Sequence, residues 1–124
     1  MDKLKILVVD DSQVALNEAE KGLKDDKTEV ITSLSAETAI ALIEKDSFDF
    51  LLFDYNMPGI NGFELIRKVK DSNIVGDAKI FMCTAENKSE AKAEGKQFGV
   101  YGWIVKPIDF SKVKSFLVKL AEKN

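Results

Sequence analysis

Short, largely apolar runs alternate along the chain with longer segments whose apolar residues recur at helical spacing. Five runs read as strands: Leu4–Val9, 29–32, 50–53, 78–83 and 101–105. Near-continuous apolar runs, as opposed to apolar–polar alternation, mark strands covered on both faces, as in a parallel sheet. Between them, segment 12–24 carries Leu16, Ala19 and Leu23 on one helical face. Ser35 can N-cap a second helix that turns Ala36, Ala39, Ile40 and Ile43 inward,. A third helix shows Leu65, Ile66 and Val69. A fourth, over 88–98, offers only Ala91, Gly95 and Phe98, and Asp109 caps a last helix over 109–122 with Phe110, Val113, Leu117, Leu120 and Ala121 inward. Segment 56–62, with Pro58, Gly59 and Gly62, reads as a loop,. Strands alternating with helices predict βαβ units with right-handed crossovers, hence a three-layer, doubly wound (βα)5 α/β sandwich around a parallel five-stranded sheet. With no linker or repeat, residues 1–124 are expected to form one domain,.

Four of the five strand candidates run directly into a chemically useful residue: Asp10-Asp11, Asp54, Thr84 and Lys106. In open α/β sheets ligands bind beyond the carboxyl ends of the strands, so these residues are expected on one rim. Strand 29–32 ends without such a residue and is expected at a sheet edge. Composition narrows the chemistry. The chain has no histidine, which excludes His-based triads, His general bases, a histidine phosphodonor role and nearly every zinc site,. A net charge of −3 gives no footprint for nucleic acid,. The single cysteine, Cys83, lies in an apolar run and reads as a small buried side chain,. The apolar stretch before Asp10 is too short for a signal peptide, and no run approaches the roughly 18 residues that span a bilayer. A cytoplasmic protein without a membrane or nucleic-acid partner is the expectation.

Gathering Asp10, Asp11 and Asp54 is unfavourable without a counter-ion. At about 4 Å and an effective dielectric of about 20, each like-charge pair costs on the order of 4 kcal/mol. A bound cation removes that cost, and Mg²⁺, which takes oxygen ligands and keeps waters a phosphate can replace, is the natural choice. Lys106 can offset one charge and hold a phosphoryl oxygen, and Thr84 can donate a hydroxyl to another. Asp54 is the expected nucleophile: an ionised carboxylate beside the metal and outside hydrocarbon, able to form an aspartyl phosphate. Taken singly, each residue has a plainer reading. Asp10-Asp11 could cap a helix, Asp54 could be a turn residue, Thr84 a strand terminus and Lys106 a surface lysine.

The stretches Ile6-Leu7-Val8-Val9-Asp10-Asp11-Ser12, Asp54-Tyr55-Asn56-Met57-Pro58-Gly59-Ile60-Asn61-Gly62, Thr84-Ala85 and Lys106-Pro107 resemble the receiver domain of two-component response regulators, in its stand-alone, CheY-like form. The resemblance implies a flavodoxin-like sheet of order 2-1-3-4-5. It implies that Asp54 accepts a phosphoryl group from a histidine kinase or histidine phosphotransfer protein. Asp11, Asp54 and the backbone carbonyl of Asn56 would ligate Mg²⁺, with Asp10 acting through a metal-bound water. Thr84 and Lys106 would contact the phosphoryl oxygens, and Lys106–Pro107 would be a cis peptide. Trp103 takes the place of a switch aromatic, usually Tyr or Phe, and reads either as a moving ring or as a fixed filler at the core edge. Asn56 and Glu86 would flank the path of the hydrolytic water and favour a short-lived phosphate.

Such a protein is a phosphoacceptor domain that assists its own phosphorylation and dephosphorylation, not an enzyme acting on a separate substrate. Its downstream protein target, unidentified, would dock on the 88–98 helix, the 101–105 strand and the 109–122 helix. In the first of these, Glu86, Glu90 and Glu94 form one i, i+4 stripe and Lys88, Lys92 and Lys96 another. Like charges at that spacing weaken a helix, and Gly95 weakens it further, so it reads either as a mobile, charge-coded surface or as a solvated face. After Pro107 only one more helix is expected, and so no DNA-binding or enzymatic output domain. Two other readings remain open. One is an unphosphorylated pseudo-receiver adaptor. The other is a phosphatase of the haloacid dehalogenase type, which would want Asp-x-Asp where the chain reads Asp54-Tyr55-Asn56.

Overall fold

The computed structural model describes residues 3–57, 59–85 and 99–122. The strands of its main sheet are β1 (Leu4–Val9), β2 (Thr28–Ser33), β3 (Phe50–Asp54), β6 (Lys79–Thr84) and β7 (Gly102–Val105). They lie in the order β2-β1-β3-β6-β7, every neighbouring pair parallel. Counted within this sheet alone, the order is the expected 2-1-3-4-5. A strand turns alternate side chains to opposite faces, and the core divides accordingly. On one face Leu7, Val9, Leu51, Phe53 and Met82 pack under α2 (Ala36–Lys45) and α3 (Gly62–Asp71). On the other, Ile6, Val8, Leu52 and Cys83 pack under α1 (Gln13–Leu23) and the last helix (Phe110–Glu122). The three-layer flavodoxin-like sandwich is therefore present. No helix among the described residues is long and apolar enough to cross a membrane.

The helix starts follow side-chain capping. Ser12 and Ser35 accept from the backbone amides of Ala15 and Thr38, and Asp109 accepts from those of Ser111 and Lys112,. Segment 56–62 is more ordered than its loop composition suggested. Asn56–Met57 (β4) pairs antiparallel with Ile60–Asn61 (β5), and Asn61 then opens α3 with a reciprocal capping box to Glu64,. β2 and the fourth main-sheet strand also run slightly past their sequence boundaries, to Ser33 and Thr84. β7 is the sheet edge opposite β2, as the order 2-1-3-4-5 implies, and it leaves Val105 43% exposed. The predicted 88–98 helix, with Glu86, Glu90 and Glu94 and the lysine stripe, lies outside the described residues, as does Pro58.

α1 and the last helix cross closely at Gly22. A β-carbon there would overlap Cβ of Phe110 and come within 3.3 Å of its backbone. We expect Gly22→Ala to lower stability in urea by about 1–3 kcal/mol through overpacking, although helix propensity alone favours Ala by about 1 kcal/mol. An unchanged or raised midpoint would contradict the close crossing.

Candidate functional site

Sheet register assembles the site. Val9 lies beside Phe53 on adjacent central strands, so Asp10 and Asp54 emerge side by side. One strand over, Thr84 lies beside Val105, and the Lys106 amide donates to the Thr84 carbonyl at 2.8 Å. Lys106 then reaches back across β6. Its Nζ lies 3.1 Å from Asp54 Oδ1 and 3.3 Å from Asp10 Oδ2. Carboxylate oxygens of Asp10, Asp11 and Asp54 all fall within 4.8 Å of one another. Asp10 and Asp54 are buried and Asp11 is exposed, so the cluster opens to solvent on the Asp11 side. The reading of the acidic pair as a helix cap does not hold. Ser12 is the N-cap of α1, and Asp10 Oδ1 instead accepts the Ser12 amide at 3.0 Å.

Three carboxylates facing one ammonium leave the cluster with excess negative charge when all are ionised. Asp54 is buried more deeply than expected, at 5% exposure, but among polar groups: Lys106, Asp10 and the Asn56 amide. Burial pushes its carboxyl above the usual range, the Lys106 hydrogen bond pulls it back, and the charge of Asp10 pushes it up again,. Burial alone would lower the Lys106 ammonium, yet its hydrogen bond and charge contact with Asp54, and the charge of Asp10, hold it above its ordinary value. Lys106 is thus a permanent cation here. An all-oxygen, strongly anionic set with one open side suits a hard divalent ion such as Mg²⁺. Cys83 takes no part: burial pushes its thiol up to about 12, leaving it neutral.

The remaining sequence-predicted residues are placed as follows. Thr84 is buried at the end of β6. Asn56 is exposed two residues beyond Asp54, its backbone amide donating to that carboxylate. The Lys106–Pro107 peptide is cis. Trp103 is half-buried and packs edge-on against Tyr55 and Phe63, with ring centroids at 6.4 and 6.0 Å, while Tyr55 and Phe63 meet each other at 5.3 Å. Tyr55 and Phe63 were missed as site neighbours. Their only signal was adjacency, Tyr55 to Asp54 and Phe63 to Gly62.

A family model described as the response regulator receiver domain matches residues 6–117. The chain belongs to the response regulator receiver family. The chemotaxis protein CheY of Pseudomonas aeruginosa is 33% identical over 121 residues, which cover 97% of this chain and 98% of that protein. CheY-3 of Vibrio cholerae is 34% identical over 124 residues, covering 97% and 93%. The solved structure of CheY4 from Vibrio cholerae superposes with a TM-score of 0.83 at 34% identity over 98% of both chains. This receiver is a CheY-like response regulator: it signals through phosphorylation, with a histidine kinase or phosphotransfer protein upstream, and is not a classical catalytic enzyme.

Because the folded state favours the proton on Asp54, protonation of this group stabilises the fold at low pH, and that contribution is lost as pH rises through the raised value,. At neutral pH, ionised Asp54 destabilises the cation-free fold. Asp54→Asn, in the presence of chelator at pH 7, should therefore raise the melting temperature by about 3–6 °C, equivalent to about 1 kcal/mol. The gain should shrink as the pH is lowered and the wild-type carboxyl recovers its proton. A lowered melting temperature at pH 7 would show that Asp54 is not under charge strain.

Proposed function

We propose that Asp54 is the phosphoacceptor and that Asp10, Asp11 and Asp54 are the residues that hold Mg²⁺. The observation that carries this is Lys106 Nζ at 3.1 Å from Asp54 in a cluster where three carboxylates converge. A carboxylate oxygen of Asp54 attacks phosphorus, a P–O bond forms, and the P–N bond to the partner's histidine breaks. Lys106 turns from its ion pair with Asp54 to a phosphoryl oxygen, and the Thr84 hydroxyl donates to another. Mg²⁺ held by Asp10, Asp11 and Asp54 would supply neutralisation of charge on the carboxylates and on the transferring group,. Water then returns Asp54 to the carboxylate and releases phosphate. Exposed Asn56 stands beside that path and favours a short-lived acyl phosphate. Its expected companion, Glu86, is outside the described residues.

For the downstream target we infer a face made by β7 and the last helix. Tyr101, Val105 and Phe116 are 51%, 43% and 52% exposed. With Phe81, Trp103 and Lys112 they line a groove of about 430 Å³. Trp103 belongs both to this wall and to the ring cluster with Tyr55, the residue after the acceptor. That double membership supports its role as the moving element between site and surface.

Incubation with Mg²⁺ and acetyl phosphate tests the proposal. Intact-mass analysis should show one phosphoryl addition that is absent in Asp54→Asn. Beryllofluoride should change the emission of Trp103, the only tryptophan. No addition to the wild type would point to a pseudo-receiver, and sustained turnover of phosphate esters would point to a phosphatase.

A further inference from the structure

We propose that Gly62 is a positioning residue for Asp54, an inference that rests on the phosphoacceptor role argued above. Gly62 opens α3, and its amide donates to the Tyr55 carbonyl at 2.9 Å, tying the helix start to the residue after the acceptor. Its φ is not positive, so the backbone there suits any residue. What requires glycine is space. A β-carbon at 62 would overlap Sδ of Met82, approach its Cε to 2.7 Å and stand 3.2 Å from the carbonyl oxygen of Asp54. Relief could come from Met82, from α3 or from the end of β3.

Met82 has little freedom. It is fully buried and pairs in register with Phe53 on one side and Trp103 on the other, so moving Sδ and Cε, the end of its side chain, requires the core beneath α3 to repack. Withdrawal of α3 would stretch the Gly62–Tyr55 hydrogen bond and carry Phe63 away from Tyr55 and Trp103. A shift of β3 would move the Asp54 carbonyl, and with it the carboxylate that Lys106 holds. The remaining routes therefore act on residues 54–55. Reaction geometry is sensitive to such shifts, since a misplacement of about 1 Å can cost on the order of 10²-fold.

The test compares wild type, Gly62→Ala, Met82→Ala and the Gly62→Ala/Met82→Ala double variant. Mg²⁺ affinity is measured by calorimetry, the initial rate of phosphorylation from acetyl phosphate by intact mass, and folding by circular dichroism. Gly62→Ala should stay folded while Mg²⁺ affinity and phosphorylation rate each fall about tenfold. In the double variant the melting temperature should match that of Met82→Ala, because the packing clash is gone. Its Mg²⁺ affinity and rate should remain below those of Met82→Ala, because the contact with the Asp54 carbonyl persists. Wild-type behaviour of Gly62→Ala, or a double variant equal to Met82→Ala in all three measurements, would overturn the inference and reduce Gly62 to a packing role. If Gly62→Ala does not fold, the comparison of the double variant with Met82→Ala decides in the same way. A wild type that gains no Asp54-dependent phosphoryl group would refute the acceptor role itself.

Discussion

Like charge held close is the constraint from which the rest of this receiver follows. Oxygens of Asp10, Asp11 and Asp54 share a space 4.8 Å across, with Lys106 as the cation that reaches Asp10 and Asp54. Hydrocarbon could not host such a group, and a flexible loop would let it spread. It persists because the carboxylates stand at or just beyond the ends of β1 and β3, two adjacent interior strands whose register is fixed by fully buried Leu7, Val9, Leu51 and Phe53. The apolar core thus holds in place an electrostatic arrangement that would otherwise relax. A bound cation would relieve what the fold imposes, so cation binding would draw on this repulsion,.

A short run of ring contacts joins the site to the edge-strand surface. Asp54 is followed directly by Tyr55, whose ring meets Phe63 and Trp103, and Trp103 lies on the exposed edge strand beside the groove at Phe116. A change in charge at Asp54 therefore needs to travel only through adjacent residues to reach a face with exposed aromatic side chains. Edge-on ring contacts of this kind are each worth about 0.5–1.5 kcal/mol.

Much of this was legible in the chain because burial leaves a plain mark on sequence. Strands covered on both faces read as apolar runs, and where those runs stopped at Asp10, Asp54, Thr84 and Lys106 the rim could be anticipated. Serine and aspartate caps at Ser35 and Asp109 were legible for the same local reason. The capping box from Asn61 to Glu64 was also written in the sequence, but Pro58 and the glycines around it read more loudly as loop. Other features depend on distant contacts and leave no local trace. The depth of Asp54, the exposure of Val105 on an edge strand, and the meeting of Tyr55, Phe63 and Trp103 across 48 residues of chain are set by sheet order and register. The spatial demand at Gly62 belongs to the same class, since it comes from Met82 on another strand.

Mg²⁺ titration of the wild type and of Lys106→Met, followed by calorimetry at low ionic strength, probes the charge balance directly. If the carboxylates are held together against their repulsion, the wild type takes up one Mg²⁺, and removing the competing ammonium tightens that binding. A chain that binds no Mg²⁺, or a Lys106→Met variant that binds it more weakly, would show that the three carboxylates do not act as one strained cation site.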